Sequence, residues 1–316
     1  MDALSDVLRA AQLSGGVFLH AEFTAPWCVA TRVTPKLCAP LLGPAAHLIP
    51  YHYVVEGELL IAVKGGQSQR LQSGDVVLFP QNDEHVMGSD LRLPPVLGGD
   101  VMRLPERGGL YSIRHGGGGA RTQMVCGYLG CETPYGNPVL ATLPPCMTLT
   151  LEEAGPAEWI RSTFHYAAGE VASGRAGSET VLAKLSELLF VEAVRRYVDD
   201  LPAEQTGWLA GLRDPAVARA LALMHGDLAR AWSVDELGRE AGMSRSTLAE
   251  RFTRIIGMAP MHYLAHWRLQ VAAQKLKGTS ASLAQIAEAI GYESEAAFSR
   301  AFKKKFGRAP ATWRRN

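Results

Sequence analysis

Two sets of residues in this 316-residue chain combine types and spacings suited to chemistry. The first is His52, His85, Cys126 and Cys131. Imidazole and thiol donors suit borderline metals such as zinc or nickel, and a Cys-x4-Cys pair can close reversibly to a disulfide. The same residues also suit a core, with the histidines hydrogen-bonded and the cysteines packed as small apolar groups. Both readings stand at this level. Cys28, Cys38 and Cys146 show no useful spacing, and five cysteines in a chain of this length do not make a disulfide framework.

The second set lies near the C-terminus. Arg245, Ser246, Ala249, Glu250 and Thr253 form one group; Glu295, Ala296, Ser299, Arg300, Lys303 and Lys304 form the other. If Phe298 and Phe302 point inward along a helix, the second group shares its exposed face. There Arg300 can contact guanine with two hydrogen bonds, worth ~1–3 kcal/mol of discrimination. Lys303, Lys304 and Lys305 suit phosphates, which position a protein without specifying sequence. Glu250 can accept from a cytosine amino group but repels phosphate.

A repeat supplies the elements that would position these side chains. Phe252, Gly257, Pro260 and Tyr263 recur as Phe302, Gly307, Pro310 and Trp313, each 50 residues on. Upstream, Val234-Asp235-Glu236-Leu237 leads to Ala241-Gly242-Met243-Ser244, and Leu283-Ala284-Gln285-Ile286 leads to Ile290-Gly291-Tyr292-Glu293-Ser294. Each copy predicts a short helix, a glycine free to take positive φ, and a serine that N-caps a second helix. That is a helix-turn-helix, over 234–256 and again over 283–306. Leu237, Ala241, Leu248 and Phe252 form the inward seam of the first, and Ile286, Ile290, Phe298 and Phe302 that of the second. One helix from Pro260 to Lys277 joins them rigidly. Two recognition helices about 34 Å apart would enter successive major grooves on one face of double-stranded DNA.

Residues ~207–316 resemble the DNA-binding domain of the AraC/XylS family of bacterial transcription regulators. The segments Ile286-Ala287 to Gly291-Tyr292, Phe298-Ser299-Arg300-Ala301-Phe302-Lys303 and Phe306-Gly307-Arg308-Ala309-Pro310 carry the likeness. It implies RNA polymerase as a protein partner; the odd cysteine count fits a reduced, cytoplasmic protein.

The first 150 residues read as short strands with glycine turns. Val54-Val55-Glu56-Gly57-Glu58-Leu59 holds a turn, and Lys64-Gly65-Gly66-Gln67 closes a hairpin. Gly74-x5-Pro80-x4-His85 is similar to the second motif of the cupin barrel, and Val55-Glu56-Gly57-Glu58 to the end of the first. The resemblance implies a sensor barrel of the kind one AraC subgroup carries. Catalytic cupins have a His-x-His first motif; here His52 stands without its partner, which argues against a catalytic metal centre. Arg114 to Arg121, with four consecutive glycines, reads as a surface loop. It lacks the Lys-Ser/Thr of a phosphate loop.

Charge divides the same way. From residue 207 onward there are 17 Lys/Arg against 9 Asp/Glu, and before it 15 against 22. A basic end tethered to an acidic one points to a polyanion partner for the basic end alone. No apolar run reaches the ~18 residues of a membrane span, and the acidic N-terminus has no signal-peptide pattern.

The expected fold is therefore two-domain α+β: an N-terminal antiparallel, cupin-like β-barrel and a C-terminal all-α domain with two helix-turn-helix units. The expected division is 1–150 for the sensor, 151–206 for a helical connector and 207–316 for DNA binding. In the connector, Trp159, Ile160, Phe164 and Tyr166 mark one helix, and Val181 to Val198 another. The pair either makes a homodimer interface, as the family resemblance implies, or packs on the barrel. The expected function is sequence-specific DNA binding set by a small-molecule, metal or redox signal sensed in the barrel. The alternatives are a metal-dependent cupin enzyme fused to a DNA-binding domain, and a repressor that needs no signal.

Overall fold

The computed structural model describes residues 2–11, 13–34, 47–103, 111–131, 137–150, 162, 177–202 and 204–315. Trp159, Ile160, Phe164, Tyr166 and Cys38 lie outside them. The described residues divide into two compact units, one of 13–131 with 143–197, the other of 2–11 with 137–142 and 198–315.

Among the described residues the first unit holds twelve strands in two sheets. In chain order they are β1 (Ser14–Thr24), β2 (Cys28–Thr31), β3 (His47–Glu56), β4 (Glu58–Val63), β5 (Gln69–Gln72), β6 (Asp75–Leu78), β7 (His85–Gly88), β8 (Val96–Leu97), β9 (Met102–Arg103), β10 (Tyr111–Gly116), β11 (Arg121–Cys131) and β12 (Met147–Thr150). One sheet runs β12-β6-β3-β11-β1-β10-β9 and the other β5-β4-β7-β2-β8. Most pairs are antiparallel, with β1–β10 and β2–β8 parallel. The expected antiparallel β-domain is present as two sheets sharing a core, rather than one ladder closed on itself. Leu59, Ile61 and Met87 from one sheet meet Leu19, Phe23, Val54, Val77 and Met124 from the other.

The glycine-rich segment is exposed, as a surface loop would be, yet is held to the end of β1 by backbone hydrogen bonds. Arg114 and His115 lie in β10, and the glycines wrap tightly around the end of β1. Gly117 N donates to Thr24 O at 2.9 Å, and Gly119 N to Ala25 O at 2.8 Å. A Cβ would come within 1.9 Å of Thr24 O at Gly116 and within 2.7 Å of Ala25 O at Gly119, so glycine stands at these two positions because backbone meets backbone there.

The 22-residue helix that follows, with a four-residue turn α2 at Gly98–Val101, is α3 (Ser178–Asp199). It packs on this unit: Ser186 Oγ lies 2.7 Å from Tyr51 Oη, and a Cβ on Gly15 would strike Ala183 O at 2.6 Å. Leu182, Leu185, Leu189 and Val194 are buried on that side, while Val181 and Leu188 stand exposed on another.

The second unit is helical: α1 (Ala3–Ala11), α4 (Trp208–Arg213), α5 (Pro215–Gly226), α6 (Val234–Glu240), α7 (Arg245–Ile256), α8 (Pro260–Gly278), α9 (Leu283–Ala289), α10 (Glu295–Phe306) and α11 (Pro310–Arg315). The N-terminal helix α1 packs against α5, which nothing in the sequence indicated. Under α5 and α8, Trp208 Nε1 donates to Tyr263 Oη at 2.6 Å, and His225 Nε2 meets the same oxygen at 2.7 Å. Burial holds His225 down at about 3, so it is neutral.

Candidate functional site

Each helix-turn-helix is built by local chemistry. Ser233 and Glu236 make a reciprocal capping box at the start of α6, and Ser282 and Gln285 do the same for α9. Gly242 and Gly291 turn the chain at φ +70° and +77°. Ser244 accepts from Thr247 N to start α7, and Ser294 from Ala297 N to start α10. Gly257 and Gly307 end the two recognition helices in the left-handed region, 50 residues apart as in the sequence repeat. Leu237, Leu248 and Phe252 are buried in the first copy, with Ala241 half-buried; Ile286, Ile290, Phe298 and Phe302 are all buried in the second.

That packing leaves the remaining faces outward. Arg245, Ser246, Glu250 and Thr253 are exposed on α7, with Ala249 half-buried. On α10, Glu295, Ala296, Arg300, Lys303 and Lys304 are exposed and Ser299 is half-buried. The two faces differ in charge. Arg245 shares its charge with Asp235 at 3.8 Å, and Thr253 Oγ1 donates to Ala249 O in its own helix at 2.7 Å. On α10 the basic residues Arg300, Lys303 and Lys304 follow one another along a single exposed side.

In the β unit, three of the four sequence-selected residues meet. His52 Nε2 lies 2.8 Å from His85 Nε2, and His52 Nδ1 lies 2.9 Å from Cys126 Sγ. The register explains it: Cys126 on β11 stands opposite His52 on β3. His85 Nδ1 faces Asp83 O at 2.9 Å, and that carbonyl can only accept. The tautomers therefore follow in sequence. His85 donates through Nδ1 and accepts at Nε2; His52 donates from Nε2 and accepts at Nδ1; Cys126 donates its S–H. Burial pushes His52 well below its ordinary range, holds His85 at about 4 and raises the Cys126 thiol. The chain is neutral throughout.

Cys131 does not join it. Five residues along the same strand, it is buried on the opposite face. Nor does the trio converge on a point: the two nitrogens of His52 serve different partners, so no ion can take all three as ligands. Among the described residues, no group of three or more His, Cys, Asp or Glu side chains is placed to hold a metal. The residues present do not fit the metal of a catalytic cupin.

A cavity of about 360 Å³ opens beside this chain. Its floor is His52 and Cys126; its walls are Leu19, Val29, Val33, Met87, Met102 and Ile113; Arg32, Glu84 and Asp100 also line it. Five of these wall residues come from β1, β2, β7, β9 and β10 and Val33 follows β2, so no single sequence motif marks them. Their only trace in the sequence is the alternation of apolar residues along separate strands.

Fold and site together define a DNA-binding transcription regulator with a cupin sensor domain. Family models agree, matching a cupin over residues 2–199 and a helix-turn-helix domain over 237–316. The chain is 33% identical over 275 residues to an AraC-like transcription regulator of Streptomyces antibioticus, covering 86% of this chain and 88% of the relative. It is 27% identical over 317 residues to the HTH-type transcriptional regulator AlkR of Acinetobacter baylyi, covering 99% of each. Among solved structures, an AraC-type DNA-binding regulator from Chromobacterium violaceum is 31% identical over 33% of this chain and 92% of that one, with a TM-score of 0.32. The chain belongs to the AraC family of transcription regulators, in the group with an N-terminal cupin domain.

Proposed function

We propose that the protein binds a bipartite DNA site through the major groove with α7 and α10, and that a small, uncharged, largely apolar molecule in the cavity beside His52 sets that binding. The DNA half rests on the exposed basic row of α10. Arg300 reads guanine, Lys303 and Lys304 hold phosphates, and Glu295, Ala296 and Ser299 complete the reading face. On α7, Arg245, Ser246, Ala249, Glu250 and Thr253 face the other half-site. The ligand half rests on the cavity floor. The charged lining residues Arg32, Glu84 and Asp100 are exposed, so a charged group brought down against the buried, neutral Cys126–His52–His85 chain would lose its hydration with no buried counter-charge beside it, whereas an apolar one gains ~25 cal/mol per Å² buried.

The donor geometry also speaks against a metal-dependent enzyme, because both nitrogens of His52 are spent. A second copy of the chain docks along α3, where Val181 and Leu188 stand exposed seven residues apart on one stripe. RNA polymerase is the further partner and the cytoplasm the location, both by family membership.

Fluorescence anisotropy of the full-length protein, at fixed salt, tests the DNA half. Arg300→Ala weakens a selected cognate duplex by about tenfold or more and a random duplex by less than about twofold. Equal loss on both duplexes would put Arg300 on phosphate and overturn the assignment. For the ligand half, small neutral apolar compounds raise the melting temperature of the wild type, and Met87→Trp, which fills the cavity, abolishes the rise. A rise that survives Met87→Trp moves the ligand elsewhere, and no rise with any compound leaves the signal-independent repressor.

A further inference from the structure

Arg268 lies in the middle of α8, the helix that joins the two helix-turn-helix units, and its guanidinium is spent on backbone. Nε donates to Leu228 O at 2.8 Å, Nη2 to Arg230 O at 2.7 Å and Nη1 to Gly291 O at 3.3 Å. The first two carbonyls belong to the segment that leads into α6; the third belongs to the turn between α9 and α10. One planar fork thus ties the entrance of the first unit to the turn of the second, a task for which arginine is suited and lysine is not.

The two backbones it joins already touch. A Cβ on Gly291 would come within 2.7 Å of Ala229 O and 2.7 Å of Arg268 Nη2. The entrance segment is itself braced. Arg230 N donates to the Asp227 carboxylate at 3.1 Å, Trp232 Nε1 donates to Asp227 O at 3.0 Å, and the Arg230 guanidinium lies 4.0 Å over the Trp232 ring. Arg268 therefore grips the braced entrance of the first unit and the turn of the second.

We infer that Arg268 is a positioning residue that sets the separation and angle of the two recognition helices, and with them the half-site spacing that the protein accepts. The inference rests on the two-unit DNA reading proposed above. Two binding modules on a stiff joint gain avidity only when the target matches their span; a loosened joint loses some of that gain and tolerates more spans. Adding one base pair between half-sites displaces one by about 3.4 Å and rotates it by ~35°.

The test measures affinity of the full-length protein for the bipartite site it selects from a random pool. The same site is also prepared with one or two base pairs inserted or removed between the halves, and as each half alone. In the wild type, one inserted base pair costs tenfold or more, on the order of the avidity at stake. Arg268→Gln loses affinity at the best spacing, flattens the profile to within about threefold and leaves each isolated half-site within about twofold. Arg268→Lys, which keeps charge and stem, falls between and carries the test if the glutamine variant does not fold. Loss at every spacing with the profile unchanged would make Arg268 an ordinary stabilising residue and overturn the inference. Loss on the isolated half-sites would likewise make Arg268 a stabilising residue of the units themselves, whereas a wild type that selects no bipartite site would overturn the DNA reading beneath the inference.

Discussion

His52 is held by both of its ring nitrogens, and the direction of every proton around it follows from one carbonyl, that of Asp83. This gives a stability prediction with a definite sign. Both histidines have folded-state affinities for protons below the unfolded value of 6.5, His85 down at about 4 and His52 well below the ordinary range. Their contribution is complete above pH 6.5 and is lost as pH falls toward 4, because the unfolded chain takes up protons that the folded one refuses. The melting temperature should start to fall just below pH 6.5, above the carboxylate range. At pH 5.5, nitrogen NMR of the folded protein should show two neutral rings, His85 protonated at Nδ1 and His52 at Nε2. An imidazolium at either position contradicts the chain. At this scale the sequence was informative about which residues matter and silent about their order. His52, His85 and Cys126 could be selected by type, but β3–β11 register decides that Cys126 meets His52 while Cys131 faces away.

The elements of the helical unit are specified locally, which is why they were legible. Serine caps, reciprocal Glu236 and Gln285, and glycines with positive φ all act within a few residues of one another. Ser282→Ala removes one cap and should cost about 1 kcal/mol. Phe298→Ala opens the seam of the second unit and should cost about 3–5 kcal/mol. Denaturant titration of the full-length protein, followed by helical circular dichroism, checks the ranking; a larger loss from the cap than from the core contradicts it. The β unit was less legible for the same physical reason. Its glycine run looks like a loop until β1 arrives from a hundred residues away to be wrapped, and the strands that wall the cavity are brought together only by sheet order. Helix α1 packs against α5 across two hundred residues of chain, a contact that no local rule encodes.

For the whole molecule, charge and fold tell one story: an acidic, strand-rich sensor and a basic, helical pair of DNA readers in one chain. The 50-residue repeat underlies the central proposal, that both readers work on one stretch of duplex. Hydroxyl-radical footprinting of the full-length protein on DNA selected from a random pool tests that statement most directly. Two protected patches are expected on one face of the duplex, about 10–10.5 base pairs apart centre to centre, with Arg300→Ala erasing one and leaving the other. A single patch, or no sequence selected at all, would contradict it.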